Sequence, residues 1–250
     1  MKKSKLGPLS VVSVIRELRR GSGDPRPLCV AGARELVPLL ARELREGGDA
    51  GSVVEGRAEH AAVLVWVGDA DDAALRAASR AGVPIVAVSE ADTLPYVLAT
   101  DIVHVPAGQG FPVEEIAKAV ARVLGEDGTS LAARLPALRP AVCAELIRSF
   151  SKKNALVSAA VFIPGVDMPI LTLNQVRLVA RIALAYGQEL DQQRVLELLG
   201  VVGAGFGFRA VARELLDFVP VAGWALKGAV AYAGTRAVGE AAVRYFDARA

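Results

Sequence analysis

Three aspartates, Asp69, Asp71 and Asp72, follow directly on the apolar run Ala61–Val67 (AAVLVWV). Carboxylates just past the carboxyl end of a strand can hold a metal or work as acid and base. Their oxygens also accept hydrogen bonds from the free N–H groups of a helix start, and this capping role is the preferred reading. Phosphate chemistry would need a glycine-rich loop after the first strand. That position reads Ala31-Gly32-Ala33-Arg34-Glu35-Leu36, without GxxxxGK[ST], so the lysine for the phosphates and the hydroxyl for magnesium are missing. Glu35 puts negative charge where an anion would sit. GAGFGF (203–208) has Phe208 where the third glycine of a dinucleotide fingerprint belongs, and it follows a helical pattern rather than a strand. Asp92 and His104 stand alone, and His60 is the only other histidine. Cys29 and Cys143 lie in apolar runs, which makes both buried thiols and leaves no disulfide scaffold. No residue is assigned a catalytic, cofactor-binding or metal role. Pro164, Gly165 and Asp167, in the turn PGVDMP, form the one candidate functional turn, with capping as Asp167's simpler role.

The elements that position these residues use two grammars. Leu28–Ala31, Ser52–Val54, Ala61–Val67, Val83–Val88 and Ile102–Val105 are strand candidates. Glu35–Arg45, Asp71–Ala81 and Val113–Leu124 are amphipathic helices stopped by glycine. This alternation predicts an α/β domain, a small doubly wound parallel sheet over residues 26–127. The polar, proline-ended stretch 125–136 reads as the linker.

From residue 128 to 250 the pattern is all-α and predicts an apolar helical bundle. Its helices are expected over Ala137–Phe162, Pro169–Tyr186, Gln192–Leu216 and Ala222–Phe246, with Gly187 ending the second and Asp191 capping the third. Small residues recur four apart on two of them: Gly203 and Gly207, with Gly200 a turn earlier, and Ala225, Ala229, Ala233, Ala237 and Ala241. Residues four apart form a ridge, and a ridge of glycine or alanine lets two helices approach closely. These eight residues are the expected helix-packing interface.

Residues 1–25 read as a basic amphipathic helix, with Leu9, Val11, Val12, Val14, Ile15 and Leu18 on one broad face. The chain is 53% hydrophobic with mean hydropathy +0.38, which brings a membrane into consideration. Its longest uncharged run, Asn154–Val166, is too short to span a bilayer and runs into Pro164-Gly165. The net charge of +2 gives no footprint for nucleic acid.

Two stretches, FIPGVDMPILTLNQVRLVARIALAYG (162–187) and FVPVAGWALKGAVAYAGTRAVGEAAVRYF (218–246), carry a resemblance. From about residue 140 the chain resembles the bacterial domain of unknown function 697, of the YcjF inner-membrane type, which occurs downstream of Era-like GTPase domains. The first half resembles a GTPase domain that has lost its nucleotide motifs. VLVWVGDADD is similar to the strand before the guanine-reading segment. VPIVAVSEAD falls where NKxD would lie, with Asp92 matching its aspartate and Ser89 and Glu90 replacing its asparagine and lysine. The resemblance implies a degenerate P-loop GTPase-like fold without GTP hydrolysis.

The expectation is a non-enzymatic scaffold or regulatory protein with a pseudo-GTPase domain and no cofactor. It would sit on the cytoplasmic face of the bacterial inner membrane or in the cytoplasm. Its partners would be membrane lipid, further copies of itself, or an unidentified protein such as a GTPase. The alternatives are a divergent GTP-binding protein and a fully soluble adaptor.

Overall fold

Short runs of β-branched and aliphatic residues form five strands: β1 (Leu28–Gly32), β2 (Val53–Glu55), β3 (Val63–Val67), β4 (Ile85–Val88) and β5 (Ile102–Val103). All pair in parallel, in the order β2-β1-β3-β4-β5. The computed structural model describes residues 24–105, 110–160, 168–188 and 223–249. All five residues of β3 are buried, which is why that strand is a continuous apolar run rather than an alternating one.

Helices α1 (Val37–Arg45), α2 (Asp72–Arg80) and α3 (Val113–Leu124) lie against this sheet. β1 to β2 steps one way across the sheet and β3 to β4 the other. Right-handed crossovers therefore place α1 and α2 on opposite faces. Cys29, Leu64, Trp66, Ile85 and Ala87 form one face with Leu75 and Ala78 of α2. The connections before β3 and β5 close that face with Ala58, Ala61 and Leu94. α1 begins two residues later than its apolar pattern predicts, because Ala33–Leu36 turn first and Pro38 opens the helix.

The α/β unit runs over Gly23–Glu145. The stretch expected to be a linker is folded into it, and the expected boundary at 127/128 falls short. After a turn at Gly125–Gly128 comes α4 (Thr129–Arg134), then a turn at Pro136–Leu138, with Leu131, Ala132, Leu135 and Leu138 buried. Arg134 is the reason. Its guanidinium donates to the carbonyls of Asp24 (3.2 Å), Pro25 (3.3 Å) and Arg26 (2.9 Å), holding the chain that enters β1. Its own carbonyl accepts from Asp49 N–H at 2.9 Å.

The second unit comprises Met1–Ser22 and Leu146–Ala250. The boundary falls inside α5 (Arg139–Ala160), which is followed by α6 (Met168–Ala185) and α7 (Gly223–Asp247). α6 and α7 run parallel: Gln175 meets Thr235 at 3.2 Å, and the Tyr186 hydroxyl donates to Asp247. α5 runs against both, with Ala155 beside Gly228 and Ile147 beside Gly239. Leu146, Phe150, Leu178, Ile182 and Phe246 are buried in this unit. The expected helices over 1–25 (all but its last two residues) and 192–216 lie outside the described residues. Among the described residues, no helix is long and apolar enough to cross a membrane.

Candidate functional site

In an open parallel sheet, ligands bind past the carboxyl ends of the strands where the crossover direction reverses. Here that point lies between β1 and β3. Ala33 N–H donates to Val67 carbonyl at 2.7 Å, Gly68 N–H to Val88 carbonyl at 2.9 Å, and Ser89 N–H to Val103 carbonyl at 3.1 Å. The ladder thus continues past the strands and stitches their ends together. Gly32 makes the closest approach, at φ +125°. A Cβ there would stand 2.0 Å from the Val67 oxygen. A Cβ on Gly68 would stand 3.0 Å from the Ala33 Cβ. The start of α1 is spent as well, since Leu36 and Val37 N–H both donate to Ala33 carbonyl and Pro38 has no N–H.

The aspartates at this edge have separate local duties. Asp71 caps α2, accepting from Ala73 N–H at 3.0 Å and Ala74 N–H at 3.1 Å. Asp72, one residue on, pairs with Arg76. Arg76 also donates to the Tyr96 hydroxyl at 2.9 Å, and this bond, ahead of Asp72, pushes the guanidinium's pKa up. The Asp69 carbonyl accepts from the Trp66 indole at 2.8 Å, fixing the turn while its carboxylate faces solvent. Asp92 and His104 approach only to 4.0 Å and are both exposed. Ser89 is buried and its hydroxyl accepts from Ala91 N–H, closing the turn in which the resemblance seeks NKxD. Among the described residues, no group of three or more His, Cys, Asp or Glu could hold a metal ion. Neither Cys29 nor Cys143 is in a disulfide, both are buried, and burial pushes the Cys29 thiol up to about 11.

In the helical unit the described part of the alanine stripe faces away from α5 and α6. Ala229, Ala233, Ala237 and Ala241 are exposed, so this stripe does not pack α7 onto α5 and α6. The close approaches use the neighbouring face. A Cβ on Gly228 would meet Ala155 carbonyl at 3.3 Å, and one on Gly239 would meet Ile147 Cγ1 at 2.5 Å and Leu178 at 3.2 Å. Bulky Leu178 and Ile147 need a glycine opposite. Ala225 belongs to α7, but its side chain lies outside the described residues. So do Gly200, Gly203, Gly207, Pro164, Gly165 and Asp167.

Sequence reasoning passed over a buried polar network that ties the three helices together. Asn154 of α5 donates to Thr235 Oγ1 of α7 at 2.8 Å and to Leu171 carbonyl of α6 at 3.4 Å. Asn174 donates to Asn154 Oδ1 at 2.8 Å, and Gln175 to Thr235 Oγ1 at 3.2 Å. The Thr235 hydroxyl donates in turn to Ala231 carbonyl at 2.8 Å. The signal was there to find, because Ser151, Asn154 and Ser158 repeat at helical spacing.

No protein-family model, no curated protein and no solved structure matches this chain.

Proposed function

We propose that this chain is a non-enzymatic two-unit adaptor, in which a nucleotide-free α/β unit binds a protein partner and the helical unit anchors or oligomerises. The observation that carries this reading is the bond from Ala33 N–H to Val67 carbonyl across Gly32. A phosphate loop works by leaving successive N–H groups free to point at the ligand. At this edge the N–H groups of Ala33, Leu36 and Val37 are spent on carbonyls, and Glu35 adds repulsion. The strand order is shared by doubly wound domains of many functions, so it supports the fold and leaves function to the site. The resemblance of the first half to a GTPase without its motifs supports the same reading. The resemblance of 162–187 and 218–246 to the domain of unknown function 697 supports a helical module at the inner-membrane face, with a GTPase as a candidate partner.

The test is titration of the full chain with a fluorescent GTP analogue and magnesium. The reading expects no saturable signal. Saturable binding in the micromolar range would replace it with a divergent GTP-binding protein.

A further inference from the structure

Three large apolar side chains stand exposed at one end of the helical unit: Leu156 (71%), Ile170 (47%) and Leu226 (37%). They come from three different helices and share that end because of the contacts beside them. Asn154 reaches the carbonyl of Leu171, next to Ile170. Ser158 donates to the carbonyl of Lys227, next to Leu226, at 3.3 Å. Leu156 sits on α5 between these two contact points.

Lysines accompany them. Lys152 and Lys153 are exposed one turn back from Leu156 on the same side of α5, and Lys227 adjoins Leu226. The described residues of this unit carry nine Lys/Arg against two acids, Glu240 and Asp247. Both acids lie on the far half of α7. Glu240 is about 21 Å along the helix from Leu226, and it is paired with Arg236 and Arg244. Among the described residues, every charge near the apolar end is therefore positive.

We propose that this end is a docking surface for an anionic lipid bilayer. Leu156, Ile170 and Leu226 enter the boundary between headgroups and acyl chains, while Lys152, Lys153 and Lys227 extend their stems and leave their ammonium groups at the lipid phosphates. Among the described residues these apolar groups come from three different helices and not from a stripe along one, which fits a bilayer better than a protein groove. No described helix is long enough to span, so the contact is interfacial. The proposal rests on the adaptor reading only in making the helical unit the anchor.

The test is co-sedimentation of the full chain with vesicles of mixed phosphatidylglycerol and phosphatidylcholine, and with phosphatidylcholine alone. The expected result is salt-sensitive binding to the mixed vesicles and weak binding to the neutral ones. Each lysine removed should weaken binding about fivefold, and Lys152→Ala/Lys153→Ala/Lys227→Ala together on the order of 100-fold. Leu156→Ser/Ile170→Ser/Leu226→Ser should weaken it at least as much. These side chains are largely on the surface, so the variants should melt with the parent. Should a triple variant fold poorly, Leu156→Ser and Lys152→Ala alone carry the test. Binding that survives both sets of substitutions overturns the assignment and moves the contact elsewhere, the basic residues 2–20 first. Equal binding to neutral vesicles overturns it too. Self-association in light scattering that depends on Leu156, without vesicle binding, would make a second copy the occupant. None of these outcomes touches the nucleotide titration, so the two readings fail separately.

Discussion

The two units solve the same packing problem with opposite chemistry. Residues 23–145 carry 11 Lys/Arg against 18 Asp/Glu, and residues 146–250 carry 12 against 8. The acidic α/β unit buries Ser52, Ser89, Asp101, Thr129 and Ser130, but none of them lies in a strand. Its acids cap helices, as Asp71 and Asp49 do, or pair along them, as Glu114 does with Lys118. Its core is aliphatic, because the parallel ladder already satisfies the backbone and fixes the register of every strand. The cationic helical unit has no such ladder between its helices. Aliphatic side chains alone would let three helices slide or rotate, and Asn154, Gln175 and Thr235 supply a buried polar contact that only one register satisfies. The lesson is that in the helical unit buried side-chain polarity fixes the register that strand pairing fixes in the α/β unit.

Gly32 offers the sharpest way to break that comparison. Gly32→Ala puts a Cβ 2.0 Å from a backbone oxygen at a φ of +125°. Neither partner is a flexible side chain, so the ends of β1 and β3 must separate. A loss of about 3–5 kcal/mol is expected in denaturant unfolding. Gly234→Ala in α7 meets nothing within 4 Å and should gain about 0.5–1 kcal/mol from helix propensity. A small loss at Gly32 would mean that the stitched carboxyl edge is pliable, and it would reopen that edge as a ligand site.

Thr235→Val tests the other half. The replacement keeps shape and removes the acceptor shared by Asn154 and Gln175. The expected cost is about 2 kcal/mol, since two buried amides must find other partners. Ala233→Ser, on the exposed face of the same helix, should stay within about 0.5 kcal/mol. If Ala233→Ser costs as much as Thr235→Val, the alanine stripe is covered in solution, as an interface between copies requires.

What was legible in the sequence follows the same division. Strands were readable because each is a short apolar run, and α3 was readable to the residue because its stripe ends at Gly125. The last turns of the α/β unit were misread as a linker because Thr129 and Ser130 are polar, yet both are buried, Thr129 donating to Glu126 carbonyl at 2.7 Å. Local polar satisfaction looks like solvent exposure when only composition is visible. On α7 the regular alanines drew the eye, while Gly228 and Gly239, three turns apart, mark the packed face. The closed carboxyl edge was half legible. The missing phosphate loop could be read directly, but the bond across Gly32 depends on β1 and β3 being neighbours, which is a property of topology.

Cys29 gives a pH signature confined to the α/β unit. Burial raises its thiol to about 11, above the ordinary 9.0. Folding therefore favours the protonated thiol. The stability it protects is fully present below about pH 9 and is lost as pH rises towards 11, by about 2–3 kcal/mol. Unfolding free energies of the parent and Cys29→Ala should run parallel up to pH 9 and diverge above it, the parent falling faster. Parallel curves to pH 11 would mean that the thiolate is accommodated in β1.

The smallest expected effect decides the oldest question about this edge, whether Asp69, Asp71 and Asp72 are a cap or a cluster with chemistry. Asp71 alone accepts from the first turn of α2, so Asp71→Ala should cost about 1 kcal/mol and Asp71→Asn, which keeps an acceptor oxygen, much less. Asp69→Ala should cost nothing measurable, because the turn is held by that residue's carbonyl and not by its carboxylate. A cluster built for a cation would behave in reverse. Its carboxylates repel one another when empty, so removing any one of them would stabilise the free protein and abolish a metal-dependent rise in melting temperature. Two thermal melts of each variant, with and without a divalent cation, separate these cases, because the sign of the Asp71→Ala effect differs between them.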